Sequence, residues 1–141
     1  FQIFEGPNDI LYSQVAIATL KSMERGGSSA LQAFLNTFEL TARAGNRLKG
    51  LFSFHTNTKL PQRKLVELGK ALARVIVLEM VIELGERGYR ADLIENAITS
   101  LEQEVRALVS THQFADSSTV IEGYTEGSSW FSFASVEQKA I

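Results

Sequence analysis

The residues best placed to do chemistry stand at the start of the chain, in Phe1-Gln-Ile-Phe-Glu-Gly-Pro-Asn-Asp-Ile-Leu11. Glu5 is a single carboxylate, preceded by Phe1, Ile3 and Phe4 and followed by Gly6-Pro7 and the polar pair Asn8-Asp9. Two readings pull its pKa in opposite directions. An acidic residue just ahead of a helix stabilises the positive end of the helix dipole and stays ionised. A carboxylate held among apolar side chains is desolvated; its pKa rises and it becomes a proton acceptor usable near neutral pH. Local chemistry favours the first reading, and a titration separates the two.

A second group lies between positions 43 and 64. Arg43, Arg47, Lys49, Lys59, Arg63 and Lys64 fall there with no acidic residue among them, and Leu51, Phe52 and Phe54 lie in the middle. Cations for anionic lipid and rings for the interface are what a membrane-surface contact needs, so Arg47, Lys49, Phe52, Phe54 and Lys59 are candidates for one. The alternative is a solvated basic loop whose phenylalanines fold back onto the bundle; phosphate binding by the same cations is a third option. Other chemistries fail on spacing. Gly45 to Gly50 has the two glycines of a phosphate-binding loop, but Leu51-Phe52 stands where Lys-Ser/Thr is required. His55 and His112 are isolated and there is no cysteine, so no metal site is supported. Serines are plentiful, but no nucleophile elbow surrounds one.

The elements that must position these residues read as helices. The Gly6-Pro7 corner suits a helix start, because Pro at the first helical position gives up no needed hydrogen bond, and Gly26-Gly27 stops that helix. Ser28 or Ser29 can cap a second helix with Leu31, Phe34, Leu35, Phe38, Ala42 and Leu48 on its apolar side, broken or kinked at Gly45-Asn46. Residues 50–59 show no period and read as a loop. A third helix, with Thr58 as cap and Pro61 in its opening turn, runs to about Glu86 and ends at Gly85 or Gly88. Its centre, Val75 to Ile82, is apolar on nearly every side, which predicts burial by several neighbours. Gly69 costs about 1 kcal/mol against Ala in a helix, so a close helix contact is expected there. A fourth helix runs from Ala91-Asp92 to about Thr111, with Ile94, Ile98, Leu101, Val105 and Leu108 stepping by fours and threes, widened by Ala97 and Val109. This stripe reads as core; part of it, or a face of the third helix, could form a dimer contact. Residues 113–141 are rich in Ser, Thr and Gly but carry Tyr124, Trp130, Phe131 and Phe133, rings that a solvated tail does not need. They are expected to dock on the bundle or on another part of a parent protein. The predicted fold is all-α, a four-helix up-and-down bundle with an irregular C-terminal tail, divided as 1–27, 28–112 and 113–141.

A chain of 141 residues fits one domain and can bury a core. A net charge of -2 argues against nucleic acid as the main partner. The most apolar window, Val75 to Leu84, is shorter than the roughly 20 apolar residues a bilayer span needs and is interrupted by Glu79 and Glu83. No signal peptide is visible, and Phe1 sits inside an apolar run rather than after an initiator Met. The chain is therefore expected to be the C-terminal piece of something longer.

Gln2-Ile3 followed by Phe4-Glu5-Gly6-Pro7-Asn8-Asp9-Ile10-Leu11 resembles the C-terminal signature of the acyl-CoA dehydrogenases, most closely the very-long-chain branch. The resemblance covers about ten residues. It implies that Glu5 is the catalytic base that removes the α proton of an acyl thioester, while the β hydrogen leaves as hydride to FAD. It implies that Gly6 touches substrate and that Pro7, Asn8 and Asp9 contact FAD, with a helix N-terminus near the cofactor's phosphates. The family usually has Thr where this chain has Pro7, which supplies neither a hydroxyl nor an N–H. The family's other domains are not in this chain, so the chain alone is expected to be inactive. Residues 28–111 have the size and character of the branch's helical extension. The implied partners are a fatty acyl-CoA substrate, an electron-transfer flavoprotein and further copies of the protein. The implied setting is a mitochondrial inner-membrane surface or a bacterial cytoplasm. The rival reading is a non-enzymatic helical module for oligomerisation or membrane-surface attachment.

Overall fold

Glycines end two of the long helices through the same device. In the computed structural model, which describes residues 2–28, 30–54, 56 and 59–117, with side chains described from 8 to 113 of these, helix α1 spans Gln2–Arg25 and helix α4 spans Gln62–Glu86. Past α1, Gly27 takes a φ of 69° and gives its N–H to Glu24 O, while the Ser28 N–H reaches Met23 O. Past α4, Gly88 takes a φ of 90° and bonds Gly85 O, while Tyr89 bonds Leu84 O. Both are Schellman closures, in which a left-handed residue lets the chain turn back and satisfy the last carbonyls. Between these helices lie α2, Leu31–Thr37, and α3, Ala42–Arg47; after them comes α5, Ala91–Ser117. Five helices and no strand are found among the described residues, an all-α bundle.

Helix α4 is the centre of the arrangement. It forms an antiparallel pair with α5, in which Gly85 meets Ile94, Arg74 bonds Glu104, and Lys64 lies by His112. Its other side receives α1, and α3 packs across it. The core is continuous through all five helices. It takes Ala16, Leu20 and Met23 from α1, Leu31 and Leu35 from α2, Ala44 from α3, Leu65, Leu68, Leu72, Val75 and Leu78 from α4, and Val105 and Val109 from α5. Leu48 and Phe52 close it from the connecting segment. The steps of three and four within each helix put these residues on one face.

Four features differ from the sequence reading. The first helix does not start at Gly6-Pro7 but continues through it from Gln2. The clash that normally drives the residue before proline out of the α region involves that residue's N–H and its Cβ, and Gly6 lacks the Cβ part. The cost is the hydrogen bond that Pro7 cannot give to the carbonyl of Ile3. The second predicted helix breaks at Phe38 to Thr41, so the expected four helices are five, and Gly45-Asn46 lies inside α3 rather than at the break. The reason is contact. Thr41 Oγ1 donates to Leu35 O at 2.9 Å, and a Cβ at Gly45 would sit 2.9 Å from the Leu35 carbonyl, so only glycine lets α3 fold back against α2. Gln32 fastens this corner, donating to Gly45 O at 2.9 Å and accepting the Phe52 N–H at 3.1 Å. The centre of α4 is not covered on all sides: Val77, Met80 and Leu84 form an exposed row, with Met80 59% accessible. Finally, α5 extends past Thr111 to Ser117. The expected docking of Tyr124, Trp130, Phe131 and Phe133 lies outside the described residues, as does Thr58 as a cap.

The close contact expected at Gly69 is present. A Cβ placed there would lie 1.8 Å from the carbonyl oxygen of Tyr12 and 2.4 Å from its carbon. Helices α1 and α4 therefore cross backbone to backbone at this point.

Candidate functional site

Asn8 and Asp9 lie in the second turn of α1, opposite the first turns of α4. With Tyr12 and Lys70 they line a hollow of about 290 Å³. Asp9 and Ile10 line an adjoining one of about 340 Å³ with Gln62, Arg63, Val66, Glu67 and Lys70. The Gly69 crossing creates both, because two helices that touch backbone to backbone diverge on either side and leave wedges. Two cations, Arg63 and Lys70, face two carboxylates, Asp9 and Glu67. Arg74 stands one turn further along α4, its pKa held above the ordinary value chiefly by the hydrogen bond to Glu104 at 2.8 Å, against some desolvation and with help from the Tyr12 hydroxyl.

The sequence-predicted site residues are placed as follows. Glu5, Gly6 and Pro7 belong to the opening turns of α1, and their side chains lie outside the described residues. The expected free helix N-terminus at Pro7, Asn8 and Asp9 is not there. With the helix beginning at Gln2, the N–H groups of Asn8 and Asp9 are committed to carbonyls one turn back. Any contact they make to a cofactor is through side chains. The side chains on offer are an amide and a phenol, with two cations balanced by the carboxylates of Asp9 and Glu67, in hollows larger than a phosphate. They do not fit the whole of FAD, whose volume exceeds both hollows. Arg63 was read from the sequence only as one of the basic cluster at 43–64, and Tyr12 and Lys70 were not read as site residues; Tyr12 stands one turn along α1 from Asn8, while the crossing at Gly69 brings Arg63 and Lys70 to this end of α1.

The membrane-contact set is taken apart by the fold. Phe52 is 0% exposed. Phe54 is half-buried, its ring 6.2 Å from that of Phe52 and 5.2 Å from the His112 imidazole. Arg47 is paired with Glu102. Lys49 and Lys59 are on the surface, but the rings that would enter lipid are spent on the core, as the loop alternative expects. No helix among the described residues is long and apolar enough to cross a membrane.

Two buried polar groups gain a role that the sequence did not show. Glu79, 5% exposed in the middle of α4, accepts the Arg43 Nε–H at 2.7 Å and the Ala44 backbone N–H at 2.8 Å. Helix α3 has no side-chain cap of its own, so Glu79 caps it from another helix. Arg43 also pairs with Glu86, and its pKa is raised first by its bond to Glu79. His112, 2% exposed on α5, packs on Phe54, and its Nδ1 has no hydrogen-bond partner among the described residues. Burial lowers its pKa, as does the charge of Lys64, against weaker raising effects of the Lys64 backbone and Glu67.

No family model, curated protein or solved structure matches the chain.

Proposed function

We propose that this chain is the C-terminal helical part of an FAD-dependent acyl-CoA dehydrogenase of very-long-chain type, with Glu5 as the base that takes the α proton of a fatty acyl-CoA. The reading rests on the Phe4-Glu-Gly-Pro-Asn-Asp-Ile-Leu11 run. One observation supports it: Asn8 and Asp9, the two described residues the motif assigns to cofactor, line a polar hollow with Tyr12 and Lys70 rather than facing bulk solvent on all sides. Bound flavin would supply the hydride acceptor. Lys70 and Arg63 would offer positive charge to a phosphate, and Tyr12 a ring and hydroxyl, while the carboxylate of Asp9 would select a donor group such as a sugar hydroxyl. Glu5 would need a neighbourhood dry enough to raise its pKa.

The test uses the complete parent enzyme. Glu5→Gln is expected to abolish bleaching of the bound flavin by acyl-CoA while leaving flavin content unchanged. Undiminished bleaching would exclude Glu5 as the base.

An oligomerisation role for the same bundle is favoured by the exposed row Val77, Met80 and Leu84 on α4. It occupies residues apart from the motif, so the two readings are compatible.

A further inference from the structure

The seam of α5 is only half closed. Val105 and Val109 are buried against α4, but Ile94 and Ile98, which continue the same row, stay partly open. They form the floor of a hollow of about 440 Å³, at the end of the bundle where α4 turns into α5. Ile82 completes the floor, Arg43 and Arg47 of α3 form one wall, and Tyr89 stands at the mouth, 61% exposed. Both arginines are already held by glutamates, Arg43 by Glu79 and Glu86 and Arg47 by Glu102. Their carboxylate partners leave little net positive charge for an anionic ligand. An apolar floor with an aromatic and two guanidinium planes at its rim suits aromatic side chains, through burial and cation–π contact.

The chain carries such side chains. Residues 118–141 hold Tyr124, Trp130, Phe131 and Phe133. Reach decides whether they can arrive. The rise of α5 from Ile98 to Ser117 is about 29 Å. An extended chain from Ser118 to Trp130 spans about 43 Å. The chain length therefore suffices for Trp130, Phe131 and Phe133 to reach the groove by a path back beside α5. The exposed row on α4 is a poorer fit. It lies roughly 140–160° away from Ile82 around α4, on the far side of the helix from the groove.

We propose that the segment Trp130–Phe133 docks in the groove lined by Ile82, Tyr89, Ile94 and Ile98, closing the open end of the α4–α5 seam. Trp130 is the sole tryptophan and there is no cysteine, so the whole 141-residue chain reports on itself. Trp130 fluorescence is expected to be blue-shifted from free tryptophan and several-fold less quenched by acrylamide, independent of protein concentration. Tyr89→Asp and Ile94→Asp, with helix content confirmed by circular dichroism, are expected to remove that protection. Met80→Asp on the opposite side of α4 leaves it intact. A Glu95→Cys, Ser129→Cys pair is expected to form a disulfide under mild oxidation, whereas Met80→Cys, Ser129→Cys does not. Trp130 that is quenched like free tryptophan overturns the proposal, as does protection lost on dilution, which would mean a second copy supplies the cover. Protection removed by Met80→Asp but not by the groove variants overturns it too.

Discussion

Gly69→Ala is the sharpest probe of the crossing that shapes the candidate site. In an open helix the change is stabilising by about 1 kcal/mol, because Gly loses more backbone entropy than Ala. Here the new methyl would lie 1.8 Å from Tyr12 O and 2.4 Å from its carbon, well inside contact distance. Both atoms are backbone, so no rotamer change relieves the overlap; α1 and α4 must move apart. Overpacking in a well-packed core costs about 1–3 kcal/mol where side chains can shift, and a backbone clash lies at or beyond the upper end. Dispersion contacts along Leu20, Leu68 and Leu72 weaken as well, since even a small gap forfeits much of each contact. After the propensity gain, the net loss is expected to be about 2 kcal/mol or more, read from urea unfolding followed by far-ultraviolet circular dichroism. Gly85→Ala is the control. Its Cβ would meet the Ile94 side chain, closest at Cγ2 at 2.9 Å, a branch that yields by a χ1 change or a small shift of α5 rather than by parting two backbones, so its net loss should be smaller than that of Gly69→Ala. Unchanged or increased stability of Gly69→Ala would refute the backbone crossing and, with it, the origin of the two hollows.

His112 and Glu79 make two further predictions. The folded state lowers the pKa of His112, so on acidification the unfolded chain takes up its proton first, and stability falls as pH drops below about 6.5. His112→Phe should flatten that part of a plot of urea midpoint against pH; a parallel fall in both proteins would assign the slope to other groups. Glu79→Ala leaves the buried Ala44 N–H without its acceptor and should cost about 1–3 kcal/mol. Glu79→Gln keeps an oxygen for that N–H and should lose less, and equal losses would show that the ion pair rather than the cap matters.

The parts of this fold that local chemistry controls were legible in the sequence. The glycine stops at 26–27 and 88, the proline at the head of α4 and the apolar steps of α5 each act within a turn or two. What depends on distant contact was not. Nothing in Phe38-Glu-Leu-Thr41 announces a break; it follows from Thr41 and Gly45 meeting Leu35. Glu79 reads as an interruption in an apolar helix until α3 arrives to be capped by it. Phe52 and Phe54, flanked by lysines, carry the same residue types whether they face lipid or His112, and only the path of the loop decides. In the site, the identity of Asn8 and Asp9 was readable as a pattern. Tyr12 follows them by one helical turn, but their neighbours Arg63 and Lys70 depend on a crossing point that Gly69 only hinted at.

The exposed apolar residues of α1 bear on the proposed function. Its buried side, Ala16, Leu20 and Met23, is ordinary. Its outer side should carry only polar or small residues if nothing but solvent lay beyond. At Gln14, Ala18 and Lys21, all exposed, it does. At the motif end it does not: Ile10 and Leu11 are each 57% exposed, Leu11 on the side turned from the core and Ile10 on the flank beside α4. Scattered apolar residues need no explanation, but these two directly follow Asn8 and Asp9, and Ile10 also walls one of the hollows. A surface that turns apolar at the carboxylate-bearing end of a helix is suited to receive another protein layer, and such a layer would exclude water from Glu5. Leu11→Asp in the complete parent should then weaken flavin retention or turnover while leaving the stability of this helical part unchanged. Full activity in that variant would remove the support the exposed face gives to an active-site role for the strip.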